Sequence, residues 1–318
     1  MDGLLIVDKP VGPTSHDVVA RVRRLLGERR IGHTGTLDPA ASGVLPLVVG
    51  RATRLAQFLS AADKTYEATV RLGAETDTCD SLGQSVGVPH TGPFPPREAI
   101  DRALDEFRGT FLQQPPVYSA KKIGGKRSHR LARAGQARAI PPALHTPAVL
   151  PSPVLVTAHA IEIAGCEDGR VTIVVTCSAG FYLRSLAHDL GDRLGTGGHL
   201  EALRRTRSGD FAIAAAVPLA MVEGDRGAAI AALVPLADVL PALAPVILTD
   251  QGAQRAGHGR DLGPSDIADG TLAVPPAAQA TVSGAPPRVR LLDRQGNLIG
   301  VAEAARTPGL LHPAVILV

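Results

Sequence analysis

The sequence predicts a mixed α/β (α+β) protein with one large domain and a smaller, mainly β module. Three observations predict it. Runs with strand patterning (residues 3–8, 44–49, 65–72, 154–163 and 170–177) are interspersed with runs of helical periodicity. The chain has 318 residues, enough for one large domain and a small one. From about Pro245 the composition shifts to short β-like runs separated by Gly and Pro.

Residues 3–8 read as a buried strand, and KPVGPTS follows as a turn with two prolines and a glycine. Thr14 or Ser15 caps a helix to about Leu26, with Val18, Val19, Val22 and Leu25 on one face and Arg21, Arg23 and Arg24 largely on the other; Gly27 ends it. GHTGTLDPAASG holds too many glycines and small residues for an element interior and reads as a shaped loop. Residues 44–49 form a strand and 51–59 a short helix. Residues 65–72 form a strand with Tyr66, Ala68, Val70 and Leu72 on one side, and TDTCDSLG is a loop. Pro96 opens a helix ending near Arg108. A Pro- and Gly-rich region runs to about Pro153, with room for a helical turn over 128–134. Strands over 154–163 and 170–177 precede helices over 181–194 and 199–205. Residues 212–243 are helical or loop, and no internal repeat is visible.

Hydrophobic residues make up 45% and charged residues 20%, which implies a packed core and excludes wholesale disorder. Aromatics are only 3%, so Ala, Val and Leu must fill that core. No stretch approaches the ~18 apolar residues of a membrane span, and the opening MDGLLIVDKP is too short and too acidic for a signal peptide; a cytoplasmic location is expected. Cys79, Cys166 and Cys177 are far apart and odd in number, which argues against a disulfide framework or a zinc site and predicts small core residues. Net charge is +3, but no acid lies between Glu106 and Glu162, a stretch carrying Lys121, Lys122, Lys126, Arg127, Arg130, Arg133, Arg138, His129 and His145. Such a one-sign block is either a solvated loop or a polyanion-binding surface; the lack of interleaved acids favours the latter.

Asp38 is the candidate catalytic carboxylate. Pro39 restricts its backbone to extended conformations, and Gly35 and Gly43 allow close approach of a ligand or of other backbone. Loop chemistry alone leaves two readings open: a reactive carboxylate, or an Asx-type turn whose side chain bonds its own backbone.

GHTGTLDPAASGVLPLVVGRATR resembles the catalytic motif of the TruB family of pseudouridine synthases. Four further segments resemble that family's motifs in the same order: LLIVDKPVGPTSHDVV with Lys9; DKTYEATVRLGAETDTCDSLG with Tyr66; PPVYSAKKIGGKRSHRLARAG; and CSAGFYLRSLAHDLGDRLGTGGHLEALRRTRSGDF with Tyr182, Arg184 and Leu203. Together they span about residues 3–211; one departure is His129, where many members have Tyr, and small residues are exchanged for small around Ala40 to Ser42. The resemblance implies a catalytic domain over 1–244 with a central mixed, mostly antiparallel sheet, a basic RNA-binding insertion at about 115–150, and a PUA-like RNA-binding domain over 245–318.

It also implies isomerisation of uridine 55 in the T loop of tRNA, with no cofactor, no metal and no protein partner, by a monomer. Asp38 is then the catalytic carboxylate, and Arg184 the cation that orients it. Tyr66 lies under the target base, Tyr182 and Leu203 pack around it, and His33 fills the space that the flipped base leaves. Lys121, Lys122, Lys126, Arg127 and Arg130 contact RNA, and Asp80 helps hold the RNA or the loop. Lys9, Lys64 and Arg204 or Arg205 are phosphate or structural candidates. Two other readings are a guide-RNA-dependent synthase of the dyskerin type and an RNA-binding or RNA-folding protein without catalysis. Asp77 and Asp80 could suggest a metal loop, but their carboxylates are too few.

Overall fold

An unbroken apolar run makes β1 (Gly3–Lys9) a buried strand rather than a surface one. In the computed structural model, which describes residues 1–119, 151–268, 270 and 287–317 and the backbone of 122–123 and 126–127, β1 pairs antiparallel with β3 (Ala41–Val49). The side chains alternate as a two-residue period demands. Leu5, Val7, Leu45 and Leu47 face one core, and Leu4, Ile6, Val44 and Val48 face another.

Between these strands lies α1 (Ser15–Leu26). Thr14 is its N-cap, accepting from the Asp17 amide while the Asp17 carboxylate accepts from the Thr14 amide; Gly27 closes it at φ 67°. Val18, Val19, Val22 and Leu26 bury its apolar stripe against the β1–β3 face. The short strand β2 (Ile31–His33) pairs with the 47–49 end of β3. Residues 50–55 form a 3-10 turn that continues into α2 (Ala56–Ala61), so the expected helix over 51–59 is present in two parts. β4 (Lys64–Leu72) follows, then a small ladder of β5 (Glu75–Thr76) and β6 (Ser85–Val86) around the TDTCDSLG loop. Pro96 caps α3 (Arg97–Leu104).

β7 (Gly109–Gln113) leads to the basic region, where the backbone of β8 (Lys122–Ile123) and β9 (Lys126–Arg127) forms a hairpin. The expected helical turn over 128–134 lies outside the described residues. β10 (Val154–Glu167) and β11 (Arg170–Cys177) return antiparallel and continue to β4, placing Tyr66 opposite Val175. Next come α4 (Leu183–Leu194), β12 (Gly198–Ser208), β13 (Phe211–Ala212), β14 (Val217–Pro218), α5 (Leu219–Gly224) and α6 (Arg226–Ala231). The large sheet has the order β14-β1-β3-β12-β4-β11-β10-β7, and its pairs are antiparallel except β1·β14 and β3·β12.

The helix expected over 199–205 is instead the middle of β12. This strand takes β3 on one edge and β4 on the other, and pairing on both sides overrides the helix-forming local sequence HLEALRR. Of the cysteines, only Cys177 is a core residue; Cys79 is half-buried and Cys166 is exposed.

A second sheet, β15 (Ala244–Ile247), β16 (Arg288–Leu292), β17 (Leu298–Ala304) and β18 (Leu311–Ile316), packs with α7 (Asp250–Gly257) around its own apolar cluster. Leu298, Val301 and Leu317 also join the cluster behind β1 and β3, and Arg51 donates to the Leu317 carbonyl at 3.0 Å. Among the described residues, no helix is long and apolar enough to cross a membrane.

Candidate active site

β3 is paired to β12 over 41–43 and to β2 over 47–49 on the same edge, and the chain between β2 and β3 bulges out there as the 34–40 loop. Backbone and one hydroxyl hold it. The Thr34 amide donates to the Pro46 carbonyl (3.1 Å), Gly12 to Pro39 (2.9 Å) and Ala41 to Asp38 (3.0 Å). The buried Ser15 hydroxyl accepts from the Leu37 amide (2.9 Å) and donates to the Leu37 carbonyl (3.0 Å), bracketing the residue before Asp38. Gly35 at φ 119° and Gly43 at φ 102° permit the turns that such a path needs.

The Asp38 carboxylate, 42% exposed, pairs with Arg184 Nε at 3.0 Å, which favours the reactive-carboxylate reading over a self-bonded turn. Arg184 is itself only 8% exposed and fully engaged: Nη1 donates to the Thr78 carbonyl (3.1 Å), Nη2 to the Tyr118 carbonyl (2.8 Å), and Nε lies 3.9 Å from Asp80. A guanidinium fork fixed by two carbonyls cannot follow solvent, so its charge stays directed at Asp38. Asp80 is buried, accepting from the Thr78 hydroxyl at 2.6 Å and the Leu82 amide at 3.1 Å. These contacts tie it to its own loop, beside Arg184. Asp77 accepts from the Gln84 amide in the same loop.

Asp38, Ala40, Asp80, Arg184, Leu200 and Leu203 line a small open pocket. Leu203 reaches it because β12 sets it beside Ala41 and Ala68. Tyr66 and Tyr182 do not line this pocket, but both phenols feel the Asp38 charge. Burial raises both above the ordinary tyrosine range; Arg205 opposes this at Tyr66, and Ser119 does so at Tyr182. Tyr182 immediately precedes α4, where Gln113 brackets its backbone, accepting from its amide (2.8 Å) and donating to its carbonyl (3.0 Å).

His33 sits one residue before the loop with its ring edge-on to His16 at 5.2 Å. Its Nδ1 is buried without a partner, and burial lowers it to about 4, so the ring is neutral at pH 7. Lys9 and Lys64 are buried, and both donate to nearby backbone. Lys9 donates to the Pro10 and Pro13 carbonyls, both at 2.9 Å, and Lys64 to those of Ser60 and Ala62. Arg204 pairs with Asp8 at 2.8 Å, and Arg205 is enclosed. The side chains of Lys121, Lys122, Lys126, Arg127 and Arg130 lie outside the described residues. Ser15 and Gln113 went unnoticed in the sequence: one reads as a cap and the other as a loop residue, and no local signal marks a side chain that brackets a distant backbone.

Residues 23–183 match the model of the TruB family pseudouridylate synthase N-terminal domain, and residues 184–237 that of the tRNA pseudouridylate synthase B C-terminal domain. The chain is 39% identical to tRNA pseudouridine synthase B of Solibacter usitatus over 100% of both chains. It is 44% identical to that of Thermobifida fusca over 83% of this chain and 87% of the relative. Among solved structures it resembles a chain of a Cbf5-Nop10-Gar1 complex, with TM-score 0.68 and 28% identity over 96% of this chain and 79% of the other. It also resembles a chain of an H/ACA RNP bound to a substrate RNA containing 2'-deoxyuridine, with TM-score 0.69 and 25% identity over 99% and 85%.

Proposed function

The chain belongs to the TruB family of pseudouridylate synthases, which are isomerases, and from that premise we propose that it converts uridine 55 in the T loop of tRNA to pseudouridine, with Asp38 as the catalytic carboxylate. The observation that carries the assignment is the Asp38–Arg184 pair at 3.0 Å at the mouth of a pocket, its cation locked by two carbonyls.

The reaction breaks the C1′–N1 bond, turns the uracil, forms a C1′–C5 bond and moves a proton from C5 to N1. Nothing is oxidised or added, so no cofactor or metal enters. The fixed guanidinium orients the carboxylate toward the sugar and ring. The target base must leave its stack, at a cost of about a few kcal/mol. The neutral His33 ring takes the vacated place, and Tyr66 stacks under the flipped uracil and later accepts the C5 proton. Lys121, Lys122, Lys126, Arg127 and Arg130 close on the RNA backbone, reading shape and phosphates. Residues 245–318 act as a PUA-like RNA-binding domain beside a catalytic domain of residues 1–244. The enzyme works as a cytoplasmic monomer, without guide RNA or protein partner.

The test is to incubate the purified chain with unmodified tRNA transcript alone and assay pseudouridine in the T loop. Wild type is expected to be active and Asp38→Asn to show no turnover. Activity only with added guide RNA or partner proteins would favour the dyskerin-type reading instead; turnover by Asp38→Asn would remove Asp38 from catalysis.

A further inference from the structure

Arg205 is 1% exposed and among the largest fully buried side chains, yet the chemistry above gives it no task. It lies on β12 beside Gly43 of β3 on one edge and Tyr66 of β4 on the other. Its Nε donates to the Val44 carbonyl at 2.7 Å, in the stretch of β3 between its β12 and β2 pairings. Its Nη2 donates to the Gly35 carbonyl at 3.1 Å, and the register of β12 on β4 sets Arg205 directly opposite Tyr66, whose phenol feels the guanidinium charge. Gly35 and Val44 bracket Asp38, so one side chain holds both ends of the loop while its own strand position sits opposite Tyr66.

The hydrogen-bond partners of the Arg205 side chain are two carbonyls, both uncharged. Its charge bears on two other buried cations, Lys9 and Lys64, each pushed down to about 8, with burial the main cause. Enclosing a guanidinium without a carboxylate is costly, and an apolar side chain would fill the same space more cheaply. The approach is also tight, because a Cβ on Gly43 would fall 2.2 Å from the Arg205 carbonyl oxygen.

We propose that Arg205 is a positioning residue that fixes the Tyr66 ring and the Asp38 loop against each other, so that C5 deprotonation at the Tyr66 oxygen occurs in the same rigid frame as the chemistry at Asp38. The inference rests on the proposed isomerisation. Once the C1′–C5 bond exists, the C5–H bond breaks and its electron pair forms C5=C6. The displaced C6=N1 pair goes to N1, which takes a proton from water. The C5 proton passes to the Tyr66 oxygen, whose own proton leaves to water. As the phenol releases its own proton, the nearby guanidinium charge favours the phenolate that develops before the C5 proton arrives.

The test compares Arg205→Lys, Arg205→Gln, Tyr66→Phe and the Arg205→Gln/Tyr66→Phe double variant in single turnovers on tRNA carrying hydrogen or deuterium at C5 of the target uridine. Circular dichroism, melting and tRNA binding are measured alongside. The Arg205 variants should fold and bind tRNA within about twofold of wild type, while the single-turnover rate falls roughly 100-fold, as misplacement of reacting groups does. The C5 isotope effect should grow as deuteron removal becomes limiting, and the double variant should be no slower than its slower parent. A folded Arg205→Lys with the wild-type rate overturns the inference. So do losses that multiply in the double variant, a slower rate with an unchanged isotope effect, or loss of fold in both Arg205 variants. An inactive wild type, or an active Asp38→Asn, defeats the underlying reading instead.

Discussion

The His33 ring carries a pH signature in the acid range. Burial, with smaller contributions from His16 and Arg205, lowers its pKa from 6.5 to about 4. On acidification the unfolded chain therefore takes up this proton first, so its contribution to stability is full above pH 6.5 and is lost as the pH falls through 4. Replacing His33 with Phe should flatten the fall of melting temperature between those two pH values; an unchanged slope in the variant would show that the ring is not the group responsible. The same residue shows what a sequence can disclose. GHTGTLDP marks Asp38 and His33 as special, but the missing partner at Nδ1 arises from the His16 edge and the buried loop, and these exist only in the folded chain. Arg184 was legible as the partner of Asp38, whereas the Thr78 and Tyr118 carbonyls that fix it come from segments far away in the chain.

At the scale of elements, β12 decides the geometry of the site. It inserts between β3 and β4, bringing Leu203 to the pocket, Arg205 under the loop and Arg204 to Asp8. Strands such as β1, β4, β10 and β11 were legible because their β-branched and apolar runs need no partner to declare themselves. β12 was misread because Leu, Glu, Ala and Arg favour helix, and only pairing on both edges makes it a strand. Its closeness to its neighbours also explains glycines whose purpose was hidden. Gly191, mid-helix in α4, has no room for a Cβ because Gly198 N would lie 2.1 Å away. Gly43 is under a double constraint, φ 102° and the Arg205 carbonyl. Gly43→Ala should destabilise the chain by about 1–3 kcal/mol from the backbone term alone, with a further loss from parted strands. Urea unfolding measures the first effect and pseudouridine formation the second; a wild-type midpoint would contradict the close packing of β3 on β12.

For the whole molecule, a net charge of +3 says little, and its placement says more. The catalytic cleft uses its cations internally: Arg184 on Asp38, Arg205 on the loop, Lys9 and Lys64 on turn carbonyls. Few of these remain for a polyanion, so the proposed function assigns the capture of folded RNA to the acid-free stretch between Glu106 and Glu162. Phosphate contacts release counterions, so each one steepens the dependence of log K on log salt by roughly one. Neutralising Lys121, Lys126 and Arg130 together should flatten that dependence by roughly two to three, if each meets a phosphate, and weaken tRNA binding at low salt. The single-turnover rate at saturating enzyme should stay near that of wild type, because the Asp38 pocket is built from other elements. Filter binding across a salt series reads the first effect and rapid quench the second. A triple variant with the wild-type slope would take the basic block off the RNA; a slope that falls together with the saturated rate would instead make the block part of the catalytic closure.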